Sequence, residues 1–241
     1  MKYAIIAAGE GSRLAAEGVS VAKPLIEIGG EPLLDRLMRI FMDNGADEIV
    51  CICNDHSPAV ASHLARVQRC GVGGRPVPLR YVVQSTPSSM HSFHAISRYL
   101  ADGPFVLTTV DTIFREDEFA RYVEDFRRAE ADGLMGVTRF VDDEKPLWVE
   151  MDGGQHITAF RDAPSGEPGW GAVSAGIYGL RPTALSTLER CVASGQQRMR
   201  NFQRALLADG LRLEAWTFSK VFDVDHASDI SKAEDFVSAV D

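Results

Sequence analysis

The chain alternates two hydrophobic rhythms. Lys2–Ala8 is a near-continuous apolar run closed by Gly9, the pattern of a parallel strand covered on both faces. Leu33–Asn44 instead spaces Leu33, Leu34, Leu37, Ile40 and Phe41 at helical intervals, and Gly45 supplies a stop. Glu48–Cys53 predicts a second strand, and Ser57 with Pro58 opens a helix that runs to about Cys70. Leu79–Val83 predicts a third strand, Met90–Leu100 a helix, Phe105–Val110 a fourth strand and Glu116–Ala131 a helix. From Leu134 the pieces shorten: Leu134–Phe140, Leu147–Met151, Ile157–Phe160 and Val173–Leu180 read as strands separated by Gly and Pro. Helices over Pro182–Ser194 and Arg198–Asp209, a strand Leu211–Thr217 and a final helix Ser228–Val240 complete the pattern. Strand–helix repetition through residue 131 predicts an α/β fold with a doubly wound, mostly parallel sheet and right-handed crossovers. The later strands are expected to extend it, partly antiparallel. There is no repeat, low-complexity tract or long linker, so 1–241 is read as one domain.

Composition narrows the function classes. The chain is 45% hydrophobic and 24% charged, which is ordinary for a globular protein, and its 241 residues can bury roughly 70–75% of the unfolded surface. A net charge of −9 disfavours a nucleic-acid partner, since such binders usually carry a basic face. It leaves room for a small anion held by a few placed cations. Cys51, Cys53, Cys70 and Cys191 form no C-x-x-C pair and read as buried reduced thiols, the first two on one face of their strand. The apolar run at Tyr3–Ala8 is too short for a signal or membrane segment, so a cytoplasmic protein without a membrane partner is expected.

The strongest local signal is Ala7-Ala8-Gly9-Glu10-Gly11-Ser12-Arg13-Leu14, directly after the first strand. Ligands of open α/β sheets bind beyond the carboxyl ends of the strands, and paired glycines let backbone N–H groups approach an anion. The loop is no P-loop, lacking G-x-x-x-x-G-K-[ST], and Leu14 stands where a dinucleotide fingerprint needs its third glycine. It adds Arg13, a bidentate phosphate ligand, and Lys23 follows with Pro24 expected to hold it extended.

This opening, continued by Lys23-Pro24-Leu25-Ile26 and Pro32-Leu33-Leu34, resembles the nucleotidyltransferase family that makes nucleoside-diphosphate sugars and related activated alcohols. Val106–Val110 ending in Asp111, and Phe222-Asp223-Val224-Asp225 before Ala227-Ser228-Asp229-Ile230, are similar to two further family landmarks. The resemblance implies a Rossmann-like nucleotidyltransferase fold, with 1–131 as the nucleotide-binding half and 132–241 as the acceptor half carrying the second metal ligand. Ala7, Ala8, Gly9, Gly11 and Ser12 would then cradle the nucleotide, with Arg13 and Lys23 as catalytic cations. Asp111 with Asp223 or Asp225 would bind the metal, the resemblance favouring Asp223. An oxygen-only donor set suits Mg²⁺, with Mn²⁺ as the substitute.

Gln84 and Ser89 are candidates for base contact, although Pro87-Ser88-Ser89-Met90-His91 departs from the family's Pro-x-Gly-Thr-Ala. On the acceptor side Arg161 stands where sugar-phosphate members carry a Lys, with Lys145 and Lys220 as alternatives. Gly176 lies in the small-residue strand Ser174–Tyr178, and Trp170 either stacks on a ring or packs in its loop. His91 and His94 read as structural, and Arg198, Arg200 and Arg204 as a solvated face or subunit contact.

The partners implied are an NTP and a phosphorylated small-molecule acceptor, with a homo-oligomer in keeping with the family. The expected reaction passes a nucleotidyl group to an acceptor phosphate and releases pyrophosphate. Such a nucleophile is already anionic at neutral pH (second pKa about 6), so no general base is needed. The alternatives are a glycosyltransferase using a nucleotide sugar, with Asp223-Val224-Asp225 as its D-x-D motif, and a catalytically silent nucleotide-binding regulator.

Overall fold

The structure is a computed structural model that describes residues 1–164 and 171–239. Strand β1 (Lys2–Ala7) turns Tyr3, Ile5 and Ala7 to one buried face and Ala4 and Ile6 to the other, which is why its sequence is apolar throughout. A short helix α1 (Ser12–Ala16), a 3₁₀ turn (Lys23–Leu25) and a small hairpin of β2 (Glu27–Ile28) and β3 (Glu31–Pro32) lead into α2 (Leu33–Asp43). Then come β4 (Glu48–Cys53), α3 (Pro58–Cys70), β5 (Leu79–Val83), α4 (Ser89–Ser97), β6 (Phe105–Thr109), β7 (Thr112–Ile113) and α5 (Glu116–Arg128). The second half contains β8 (Gly133–Thr138), β9 (Trp148–Met151), β10 (Ile157–Arg161) and β11 (Ala172–Leu180). It ends with α6 (Thr183–Ala193), α7 (Met199–Ala208), β12 (Leu213–Phe218), β13 (Phe222–Asp223) and α8 (Ala227–Ser238).

Strands β5, β4, β1 and β6 lie parallel in that order, with Lys2 opposite Glu48 and Ala7 opposite Cys53. Next to β6 comes β11, antiparallel to it, and beyond β11 lie β8 and then β12, which run parallel to each other. The β9–β10 hairpin adds to the beginning of β11. Because β11 runs backwards, its beginning reaches the same rim as the carboxyl ends of β1, β4 and β6. Its pairing with β8 shifts register between Ser174 and Tyr178, and Gly176 takes φ +72° in that bulge. A Cβ at Gly176 would sit beside the Thr112 and Thr109 hydroxyls at 3.5 and 3.7 Å, so the backbone twist, more than space, selects glycine there.

Helices cover both faces. One core joins α2, α3 and α5 to the sheet with Ala233 of α8, and the other packs Phe93 of α4, Leu188 of α6 and Phe202 of α7. Within the first, Phe119 stacks on Phe41 and Phe114 at centroid distances of 5.6 and 4.8 Å. Phe119→Ala should lower unfolding free energy by about 3–5 kcal/mol, read from denaturant midpoints. Cys51, Cys53 and Cys191 are buried free thiols, with the first two on one face; Cys70 is exposed at the end of α3, contrary to expectation. No helix among the described residues is long and apolar enough to cross a membrane.

Candidate functional site

The carboxyl rim gathers the charged residues. The chain leaves β1 through Ala8–Gly11, and Gly11 turns into α1 at φ +61°. A Cβ on Gly11 would lie 3.3 Å from Lys23 Cβ, whereas one on Gly9 would meet nothing within 4 Å. Gly11→Ala should therefore cost about 1 kcal/mol in left-handed backbone strain and displace Lys23. Gly9→Ala should leave stability unchanged; thermal unfolding of the pair checks both.

Lys23 does not stay extended. It opens the 3₁₀ turn, closed by Leu25 N–H to the Ala22 carbonyl at 2.8 Å and Ile26 N–H to the Lys23 carbonyl at 3.1 Å. Pro24 is tolerated because the start of a turn needs no N–H from it. Lys23 Nζ, largely buried, donates to Asp111 Oδ2 and to Asp225 Oδ1, the latter at 2.7 Å. Arg13 Nη1 donates to Asp225 Oδ2 at 2.7 Å, so one carboxylate bridges both cations. Burial alone would lower the Lys23 pKa, but the Asp111 charge and the two hydrogen bonds raise it. Burial likewise acts to raise the Asp225 carboxyl, and Lys23 and Arg13 outweigh it and hold it below the usual range.

Asp111 follows β6 and meets Asp223 across a two-stranded ribbon: β7 pairs with β13, and Val224 N–H reaches the Asp111 carbonyl at 3.1 Å. Asp111 Oδ1 is buried without a hydrogen-bond partner, an arrangement that costs free energy unless a cation or donor comes to it. Asp223 makes no ion pair among the described residues. Its surface opens to the cleft although protein packs closely around it. That packing, then the charge of Asp111, pushes its carboxyl up, against the pull of Lys23. Two carboxylates that repel, one with an orphaned oxygen, are the donor chemistry of a hard divalent cation. Among the described residues no three His, Cys, Asp or Glu side chains could hold a metal together.

Two cavities flank this cluster. One, of about 480 Å³, is lined by Ala8, Gly9, Gly11, Lys23 and Asp111 together with Thr86, Ser88, Ser89 and Thr109. The other, of about 280 Å³, is lined by Arg13, Phe140, Ser174, Ala175, Asp223 and Asp225 among others. The structure thus brings Ala8, Gly9, Gly11, Arg13, Lys23, Ser89, Asp111, Asp223 and Asp225 to one place. It places four others outside both cavities. Ala7 is buried in the strand, Ser12 is exposed on α1, and Gln84 is exposed beyond β5 with its backbone N–H on the Cys53 carbonyl at 2.8 Å. Arg161 is exposed on the edge strand β10, 3.4 Å from Glu150. Gly176 borders the second cavity only through its neighbours in the bulge, and Trp170 lies outside the described residues. Arg200 and Arg204 converge on Asp162 at 2.7 and 2.8 Å, so they are paired within the chain.

The supporting residues escaped sequence reasoning. Asp229 accepts from Asp225 N–H and His226 N–H at 3.1 and 2.8 Å, fixing the loop that carries Asp225. Glu17, at the end of α1, accepts from Ala227 N–H at 2.6 Å and pairs with His226, tying the glycine loop's helix to the start of α8. Asn54, beyond β4, donates to the Ala8 and Gly9 carbonyls at 3.3 Å. The acidic residue four positions after Asp225 was a legible capping signal; the other two were not.

Known proteins resemble this chain along its length. The family model described as nucleotidyl transferase matches residues 2–239. A probable mannose-1-phosphate guanylyltransferase 1 of Oryza sativa subsp. japonica is 27% identical over 194 residues, covering 78% of this chain and 52% of that protein. A glucose-1-phosphate cytidylyltransferase of Salmonella typhimurium is 32% identical over 65 residues, 27% of this chain and 25% of that one. The chain thus spans about half the length, or less, of these curated relatives. Among solved structures, one from Bacillus anthracis, described there as a glucose-1-phosphate thymidylyltransferase on provisional assignment, superposes with TM-score 0.82 at 22% identity, covering 100% of this chain and 96% of that one. The inositol-1-phosphate CTP transferase of T. maritima superposes with TM-score 0.76 at 15% identity, over 100% and 97%. The family match over nearly every residue, on a fold these structures share, makes the chain a member of the nucleotidyl transferase family.

Proposed function

We propose that the chain transfers a nucleotidyl group from an NTP to the phosphate of a sugar phosphate or related phosphate ester, releasing pyrophosphate. The observation that carries this reading is the meeting of Arg13, Lys23, Asp111 and Asp225 between two cavities, one bordered by the glycine loop and one by β11. An acceptor phosphate oxygen attacks the α-phosphorus, a new P–O bond forms, and the bond to the bridging oxygen breaks. Pyrophosphate leaves with that electron pair. Lys23 steadies the α-phosphate and the incoming anion, Arg13 the departing phosphates, and the loop amides the rest. Asp111 and Asp223 would hold Mg²⁺, or Mn²⁺ in its place. That ion, when bound, supplies neutralising charge to the phosphates. Asp225 serves the two cations, which leaves Asp223 for the metal. A D-x-D reading would need both carboxylates of Asp223-Val224-Asp225 for the ion, and so fits this arrangement less well.

The test is a matrix of four NTPs against a panel of sugar and alcohol phosphates, read by pyrophosphate release. One NTP–acceptor pair should stand out, and excess chelator should abolish release until Mg²⁺ is restored. Release from a nucleotide sugar, or none from any pair with Mg²⁺ present, would overturn the reading.

A further inference from the structure

Asn54 is 4% exposed at the carboxyl end of β4, where the register of Ala7 with Cys53 brings it beside Ala8. Its Nδ2 donates to two successive carbonyls, Ala8 and Gly9, each at 3.3 Å. The amide orientation is fixed by these partners, since the reverse would set an oxygen against two oxygens. In a trans peptide the C=O of one residue and the N–H of the next point in opposite directions. Holding the Ala8 and Gly9 carbonyls toward Asn54 therefore turns the Gly9 and Glu10 N–H groups the other way. Gly9, Glu10 and Gly11 line the 480 Å³ cavity, and Asn54 does not. The side chain's own Oδ1 is buried with no partner, a cost that packing alone does not explain.

From this geometry we infer that Asn54 is a positioning residue that aims the glycine-loop amides at the phosphates of the bound nucleotide; the inference rests on the nucleotidyl-transfer reading above. It touches no substrate and acts through the loop. Asn54→Leu removes the donor together with the orphaned acceptor at similar volume. Asn54→Asp keeps the shape but loses the donor. With two hydrogen bonds gone, the KM for the NTP should rise about ten- to a hundredfold, with kcat changed far less, because loop amides serve ground and transition states alike. The ligand-free melting temperature of Asn54→Leu should stay near the parent's. Binding of inorganic tripolyphosphate, measured by calorimetry without acceptor, should weaken in both variants. A parent-like KM in Asn54→Leu overturns the inference. If the parent itself turns over no NTP, the transfer reading fails, and tripolyphosphate binding decides the loop role separately: weaker binding in both variants upholds it, and parent-like binding removes it.

Discussion

Lys23→Ala should lower pyrophosphate release about 10²–10³-fold, the scale for one preorganised charge-stabilising group. The side chain cannot be replaced by a neighbour, because Arg13 reaches Asp225 from the opposite oxygen and leaves Asp111 to Lys23 alone. Its turn is rigid, closed by two backbone hydrogen bonds over a buried proline, so the ammonium is presented without loop rearrangement. Lys23→Arg should not rescue the rate. The compact ammonium meets Asp111 and Asp225 at one point, a geometry that a planar, forked guanidinium does not reproduce. Removing Lys23 also exposes Asp111, Asp223 and Asp225 to one another's repulsion. Lys23→Met, which keeps the stem, separates packing from charge. Parent-like turnover in either uncharged variant, measured at saturating substrates, would remove Lys23 from the mechanism.

Asp111→Asn should lower turnover by a similar 10²–10³-fold and raise the Mg²⁺ concentration needed for half-maximal rate. The change is isosteric, so the β7–β13 ribbon and the Val224 N–H to Asp111 carbonyl bond should survive. What goes is one charge beside the orphaned Oδ1 and the pairing of Oδ2 with Lys23. Asp225→Asn makes the contrast. Its carboxylate is engaged with Lys23 and Arg13, so its loss should weaken nucleotide binding while the Mg²⁺ requirement stays close to the parent's. A metal titration of the three proteins checks both statements, and an unshifted Mg²⁺ requirement in Asp111→Asn would discard it as a ligand.

The alternation of strands and helices was legible because both periodicities are imposed by burial on two faces of one sheet, as the opposite destinations of Ile5 and Ile6 illustrate. The loop at Ala8–Arg13 was legible because two glycines after a strand, followed by Arg13 and then Lys23-Pro24, form a combination that a plain turn does not need. The β7–β13 ribbon was not, since two-residue strands leave no periodic trace and their pairing is decided by tertiary packing. Gln84 looked like a base reader because it ends a strand at the right edge, yet the Thr86–Ser89 segment, a few residues on, lines the cavity. Arg161 is implied only by the resemblance, standing where sugar-phosphate members carry a Lys, and it lies on the edge strand β10, 3.4 Å from Glu150. Asn54 belongs to no motif of the sequence; only the parallel register of β4 with β1 gives it partners.

The ion pair of Arg13 with Asp225 joins positions 212 residues apart, and that of Lys23 with Asp225 spans 202. Pairings so remote in the chain demand that most of its loop-closure entropy be spent before they form. A nascent polypeptide that has not yet delivered Asp225 leaves Arg13 without this partner and Lys23 paired with Asp111 alone. The shared carboxylate that fixes both side chains is thereby set in place only when the carboxyl-terminal segment docks, and an amino-terminal fragment ending at residue 131 should leave Arg13 free to swing however well its sheet assembles.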